Sequence, residues 1–163
     1  MQVTIGGNPI TVVGTRLTVG DKAPDFKLLD NNSEFKTLDS FKGYKVINIV
    51  TSLDTGVCDA QARRFNTEVK DIPVITVSYD LPPAQARWCG GTGLDNIVTL
   101  STHLDNDFAI NYGVFLEDLR LSIRAVLILD ENNVVKYVDY VSEVVDHPNY
   151  NDALDFINSI SLN

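Results

Sequence analysis

Four stretches of the chain are almost uniformly apolar and β-branched, and turn-forming residues bound them. They are YKVINIVTS (44–52), PVITVSYD (73–80), NIVTLST (96–102) and LSIRAVLILD (121–130). Continuous runs of this length read as strands buried on both faces. A helical period separates them. Cys58, Ala62, Phe65 and Val69 recur at spacings of four, three and four, one face of a helix over about 57–70, with Asp54 or Thr55 as its N-cap. PPAQARWC (82–89) opens on proline and meets Gly90-Gly91, which predicts a short helix stopped there. DNDFAINYG (105–113) predicts another, ended by Gly113.

The two ends follow the same reasoning. VTIGGNPITVV (3–13) is two short β-rich runs around Gly6-Gly7-Asn8-Pro9, a hairpin signal, and residues 20–26 read as loop. VVKYVDYV (134–141) pairs with 121–130 across Glu131-Asn132-Asn133, and a last helix fits 151–160. The order is hairpin, β, α, β, α, β, α, β, β, α. Alternating βα units imply a central sheet with helices on both faces. A βαβ unit closed by ββα predicts an α/β thioredoxin-like fold with an N-terminal β-hairpin. No repeat or linker divides residues 1–163, so one domain is expected.

Charge narrows the partners. The 163 residues carry a net charge of −9, with lysine and arginine scattered, which argues against nucleic acid or an anionic membrane as the main partner. No apolar run approaches the ~20 residues that span a bilayer. The opening MQVTIGGNPITVVG has no basic region followed by an apolar one, so the expected compartment is the cytoplasm. Thiols there are mostly reduced, so the two cysteines are expected to be redox, metal-binding or core residues rather than a permanent cross-link.

Two chemistries could start at SLDTGVCDAQARRF (52–65). Asp54-Thr55-Gly56 is the tripeptide of an aspartic protease, but that reaction needs a second, equivalent carboxylate on an all-β body. This chain has no second such triplet, and it alternates β and α. Cys58, by contrast, falls in the first turn of a helix after a buried strand, where free N–H groups and the helix dipole favour a thiolate. A buried, inert cysteine would fit the same position. Cys89 ends the next short helix, 31 residues on, near the same end of the sheet; it makes no CxxC pair with Cys58. The isolated His103 and His147 show no zinc-ligand spacing with the cysteines and read as loop or surface residues. Arg124 interrupts the apolar run 121–130. A guanidinium there needs an anion: one of the acidic residues, or the Cys58 thiolate and the charge developing on a substrate oxygen.

SLDTGVCDAQARRFN (52–66), SYDLPPAQARWCGGTGLDNIVTLS (78–101), RLSIRAVLILD (120–130) and HPNYNDAL (147–154) together resemble the thiol peroxidase branch of the peroxiredoxins, the atypical two-cysteine kind. The resemblance extends over nearly the whole chain. It implies reduction of hydrogen peroxide and organic hydroperoxides, with Cys58 as peroxidatic and Cys89 as resolving cysteine. It implies that Thr55 bonds the thiolate and the peroxide and that Arg124 lies beside the sulfur. It also implies an intramolecular disulfide, electrons from thioredoxin or a similar dithiol, a homodimer, and no metal or organic cofactor. One position departs from the family pattern: the proline four residues before the threonine is Thr51 here. That proline shields the sulfur and fixes the loop. Its loss leaves a second reading, a redox-regulated binding protein that uses the two cysteines as a switch and turns over peroxide slowly.

Overall fold

The apolar runs become the middle of a seven-stranded sheet. The computed structural model describes residues 2–94 and 97–160. In chain order its elements are β1 (Val3–Ile5), β2 (Asn8–Ile10), β3 (Val12–Val13), β4 (Leu28–Leu29), β5 (Phe35–Lys36), a single 3₁₀ turn (Leu38–Ser40) and β6 (Lys45–Ile49). Then come α1 (Gly56–Glu68), β7 (Val74–Ser78), α2 (Pro82–Thr92), β8 (Val98–Ser101) and α3 (Asp107–Asn111). The chain continues through β9 (Phe115–Leu116), β10 (Leu121–Ser122), β11 (Ala125–Leu129), β12 (Val135–Tyr140) and α4 (Tyr150–Ser159).

The large sheet runs β12-β11-β6-β7-β8-β4-β5. β6, β7 and β8 are parallel; every other pairing in this sheet is antiparallel. Every residue of β6, β7 and β11 is buried, as their largely apolar, β-branched character predicts. The pleat divides them between two cores. Ile47, Ile49, Ile75, Val77, Leu127 and Leu129 face a core shared with Phe108 and Ala109 of α3. Val46, Val74, Val126 and Ile128 face the opposite one, with Phe65 of α1 and Ala153 of α4. α2 lies on that second side, because its Gln85 bonds Ser78 Oγ and its Cys89 contacts Thr99; Thr99 is in register with Thr76, itself paired with Asn48, and Ser78 follows Thr76 by two residues on the same face. The expected helices on both faces are therefore present.

The structure corrects the sequence reading in four places. The N-terminal run makes a hairpin only over β1 and β2; β3 leaves it to pair with β9 in a separate three-stranded sheet. β4, β5 and β9 carried no strand signal, since two-residue strands have no periodicity to read. α2 does not stop at Gly90-Gly91 but runs through them to Thr92, and Gly93 (φ 70°) ends it in the left-handed region glycine favours. The run 121–130 is not one strand: it breaks at Ile123-Arg124, between β10 and β11. Part of the expected 96–102 strand, residue 96, lies outside the described residues.

Candidate active site

The N-terminus of α1 lies at the C-terminal end of β6, the end of a parallel strand where α/β proteins place their ligands. The connecting loop, 50–55, is tied to the neighbouring strand by Asp80. Its carboxylate accepts from Ser52 Oγ (2.7 Å) and Leu53 N (2.8 Å), and also from Ser78 Oγ (2.7 Å). Thr55 is the N-cap residue of α1 by its extended backbone (φ −96°, ψ 146°), but its side chain does not cap the helix. The hydroxyl instead donates to the Ser52 carbonyl (2.8 Å), and the first helical bond runs from Asp59 N to Thr55 O (2.9 Å). Cys58 is thus the third helical residue, among the N–H groups with no intrahelical acceptor.

Cys58 is fully buried, packed with Val50, Leu53, Ala62 and the partly buried Trp88. Its sulfur accepts a hydrogen bond from Arg124 Nη1 at 2.9 Å. The pleat makes this possible: Arg124 immediately precedes β11 and stands two residues before Val126, which puts it on the α1 face of the sheet. Arg124 is 2% exposed. It also donates to Gln61 Oε1 (3.2 Å) and the Val144 carbonyl (2.6 Å), and its buried Nε has no partner. No Asp or Glu of the described residues forms an ion pair with it. A buried charge needs a counter-charge. Of the two partners open to Arg124, the structure brings it the Cys58 sulfur and, among the described residues, no carboxylate.

Gln61 sits one helical turn beyond Cys58, on the same face of α1. Its amide nitrogen donates to Asn48 Oδ1 (2.5 Å), and Asn48 Nδ2 donates to Thr76 Oγ1 (3.2 Å). A buried polar chain therefore runs from the sulfur through Arg124 and Gln61 into β6 and β7. Apart from the Arg124 Nε, the groups of this chain are paired with one another, which restrains their side chains to one arrangement. On the outer side, Trp88 Nε1 donates to Asp59 Oδ1 (2.6 Å), and Arg63 Nε holds both oxygens of the same carboxylate (2.9 and 3.0 Å). The Arg63 guanidinium lies 5.7 Å from the centre of the Trp88 ring. Asp59 thus fastens α2 to the first turn of α1, over Cys58.

Redoxin is the family whose model matches, over residues 18–154. A thiol peroxidase of Bacillus subtilis (strain 168) is 49% identical over 158 residues, covering 94% of this chain and 95% of that protein. The chain belongs to the thiol peroxidase branch of the Redoxin family. Among solved structures, a peroxiredoxin-like protein from Aquifex aeolicus superposes with a TM-score of 0.88 at 33% identity, over 96% of this chain and 95% of that one. A thiol peroxidase from Chromobacterium violaceum gives 0.87 at 28% identity, over 97% and 96%. The protein is an oxidoreductase with the peroxiredoxin fold, and it reduces peroxides with electrons from thiols.

Against that family chemistry, the residues singled out in the sequence fall into two groups. Cys58 and Arg124 meet, and Thr55 begins the same helix, although no hydrogen bond joins it to the sulfur. Cys89 stands apart. Both cysteines are free, and Cys89 is half-buried against Asn31 and Thr99. Three inter-strand steps, ~14 Å at ~4.8 Å each, separate β11, which Arg124 precedes, from β8, which carries Thr99. Thr51, at the family's proline position, is buried, and its hydroxyl has no partner among the described residues. Asp54 lies in an exposed turn of a mixed α/β body, which removes the aspartic protease reading. His147 Nδ1 meets Tyr150 Oη (2.8 Å), and His103 lies in a turn. Sequence reasoning missed Gln61, Asn48, Asp80, Asp59 and Trp88. Gln61 alone carried a signal, a polar residue three positions after Cys58 and thus on the apolar face of the helix.

Among the described residues, no group of His, Cys, Asp and Glu is placed to hold a metal ion, and no helix is long and apolar enough to cross a membrane.

Proposed function

We propose that Cys58 is the peroxidatic cysteine of a thioredoxin-dependent peroxidase and Cys89 its resolving cysteine. The observation that carries this reading is the 2.9 Å bond from a buried guanidinium with no carboxylate partner to the Cys58 sulfur. The thiolate attacks one oxygen of a hydroperoxide. A sulfur–oxygen bond forms to the O–H-bearing oxygen and the oxygen–oxygen bond breaks, so Cys58 becomes a sulfenic acid and the other oxygen departs as hydroxide or alkoxide, which takes a proton from solvent to become water or an alcohol. Negative charge moves from sulfur to the departing oxygen. Arg124 stabilises it throughout, and its unpartnered Nε is a donor left for the substrate. The Thr55 hydroxyl, donating to Ser52, keeps lone pairs free to accept the peroxide O–H.

Cys89 then displaces water from the sulfenic acid to form the Cys58–Cys89 disulfide. An external dithiol, thioredoxin or a protein like it, reduces that bond through a mixed disulfide. Two cysteines join only when their Cα atoms approach within ~7 Å. With Cys89 turned toward β8, that requires the α2 segment around it to move. No resident metal or organic cofactor enters these steps. A homodimer working in the cytoplasm completes the proposal, which rests there on the family alone.

Exchanging the cysteines singly tests the roles. Cys58→Ser is expected to abolish peroxide consumption. Cys89→Ser is expected to consume one equivalent at close to the normal rate, to carry a sulfenic acid that a dimedone-type reagent traps on Cys58, and to lose turnover with thioredoxin. Activity surviving in Cys58→Ser, or label found elsewhere, overturns the assignment.

A further inference from the structure

In its parked position Cys89 is held by a closed ring of hydrogen bonds for which the peroxide chemistry has no use. Asn31 Nδ2 lies 3.5 Å from the Cys89 sulfur and Thr99 Oγ1 lies 3.6 Å from it. The Thr99 hydroxyl donates to Asn31 Oδ1. With its proton committed to Asn31, Thr99 can only accept from the cysteine, so the Cys89 S–H donates to Thr99 while the Asn31 amide donates to the sulfur. Each member gives one hydrogen bond and takes one. The three come from separate parts of the fold: the turn after β4, helix α2 and strand β8. Thr99 is buried, and Asn31 and Cys89 are half-buried.

Cys89 cannot reach Cys58 without leaving both partners. The ring also uses Cys89 as a hydrogen-bond donor, which only the protonated thiol can be, and the thiol is the less reactive form. We infer that Asn31 and Thr99 are positioning residues that latch Cys89 into folded α2 and thereby set the rate at which the Cys58 sulfenic acid is resolved. The latch lengthens the life of the sulfenic acid, and so the time in which a second peroxide can oxidise it to sulfinic acid. The inference rests on Cys89 being the resolving cysteine.

Stopped-flow fluorescence of Trp88, the single tryptophan and the residue before Cys89, follows both steps. In Asn31→Ala and Thr99→Val, peroxide attack is expected to keep its rate. Disulfide formation is expected to accelerate at least threefold, and sulfinic acid at excess peroxide, read by mass spectrometry, to fall. Thr99→Val keeps the shape of a buried side chain and Asn31→Ala lies in a surface turn, so either variant that folds decides the question. Resolution unchanged or slowed while the wild type forms its 58–89 disulfide overturns the latch alone. A wild type that forms no such disulfide overturns the latch and the role of Cys89 together.

Discussion

Cys58 has no exposed surface and a charged partner; Cys89 is half-buried and has two neutral ones. The difference extends to the elements that carry them. α1 is fixed on both sides of Cys58, inward by Gln61 and Asn48, outward by the Asp59–Trp88 bond. Cys89 of α2 is held by Asn31 and Thr99 through bonds to sulfur, a weak donor and acceptor, and α2 continues through Gly90-Gly91. Glycine in a helix interior costs about 1 kcal/mol relative to alanine. Apart from the helix's own backbone and the adjoining residues, nothing lies within 4 Å of where a Cβ would stand on either glycine, so packing does not demand them. A nucleophile gains from a pocket that does not reorganise during attack. A cysteine that must travel gains from a helix that unwinds at small cost.

The largest effect is expected where the rigid side is broken. Arg124→Leu removes the donor to the sulfur and should slow peroxide attack ~10²–10³-fold, the range seen when a preorganised donor at a developing charge is lost. Arg124→Lys should recover only part of that loss, because an ammonium cannot reach Cys58, Gln61 and Val144 with a planar fork. Second-order rates measured by competition for peroxide decide this, and a loss smaller than fivefold in Arg124→Leu contradicts the site.

Stiffening the mobile side should do the opposite. Gly90→Ala and Gly91→Ala each stabilise α2 by about 1 kcal/mol. Disulfide formation should then slow about fivefold per substitution, since unwinding precedes it, while attack on peroxide stays as it was. Equal rates in wild type and the double variant would show that Cys89 moves without unwinding this end of the helix.

The smallest effect concerns the N-terminal hairpin. Glu143 accepts from Thr4 Oγ1 (2.5 Å), Gly7 N (3.0 Å) and Gly6 N (2.8 Å), which hold its carboxyl down from 4.5 to about 2, the Thr4 bond contributing most. The neighbouring Val144 donates to Thr4 O and accepts from Arg124, so this tie lies on the Cys58 side only. A depressed folded-state value means stability that is present above pH 4.5 and is lost as pH falls toward about 2. Thermal melts across that window should fall more steeply for wild type than for Glu143→Gln. Parallel curves would show that the carboxylate contributes nothing to the fold.

Sequence by itself determined the central βαβ and ββα order, the burial of β6, β7 and β11, and the place of Cys58 in the first turn of a helix. Those features are local: a run of β-branched residues or a 3.6-residue period acts over a few neighbours, and the chain displays it without folding. The tertiary structure decided what depends on pairing across the chain. β4, β5, β9 and β10 are two residues long and exist because a partner strand stands beside them. The glycine pair reads locally as a stop, yet α2 passes through it, since Cys89 is held by Thr99 and the helix finds its left-handed end only at Gly93. Arg124 reads as a flaw in one strand until folding sets α1 against that face of the sheet and brings Cys58, 66 residues back, to its guanidinium. Whether a buried cation is a structural ion pair or half of a reactive one depends on which anion folding brings to it, and no local pattern encodes that.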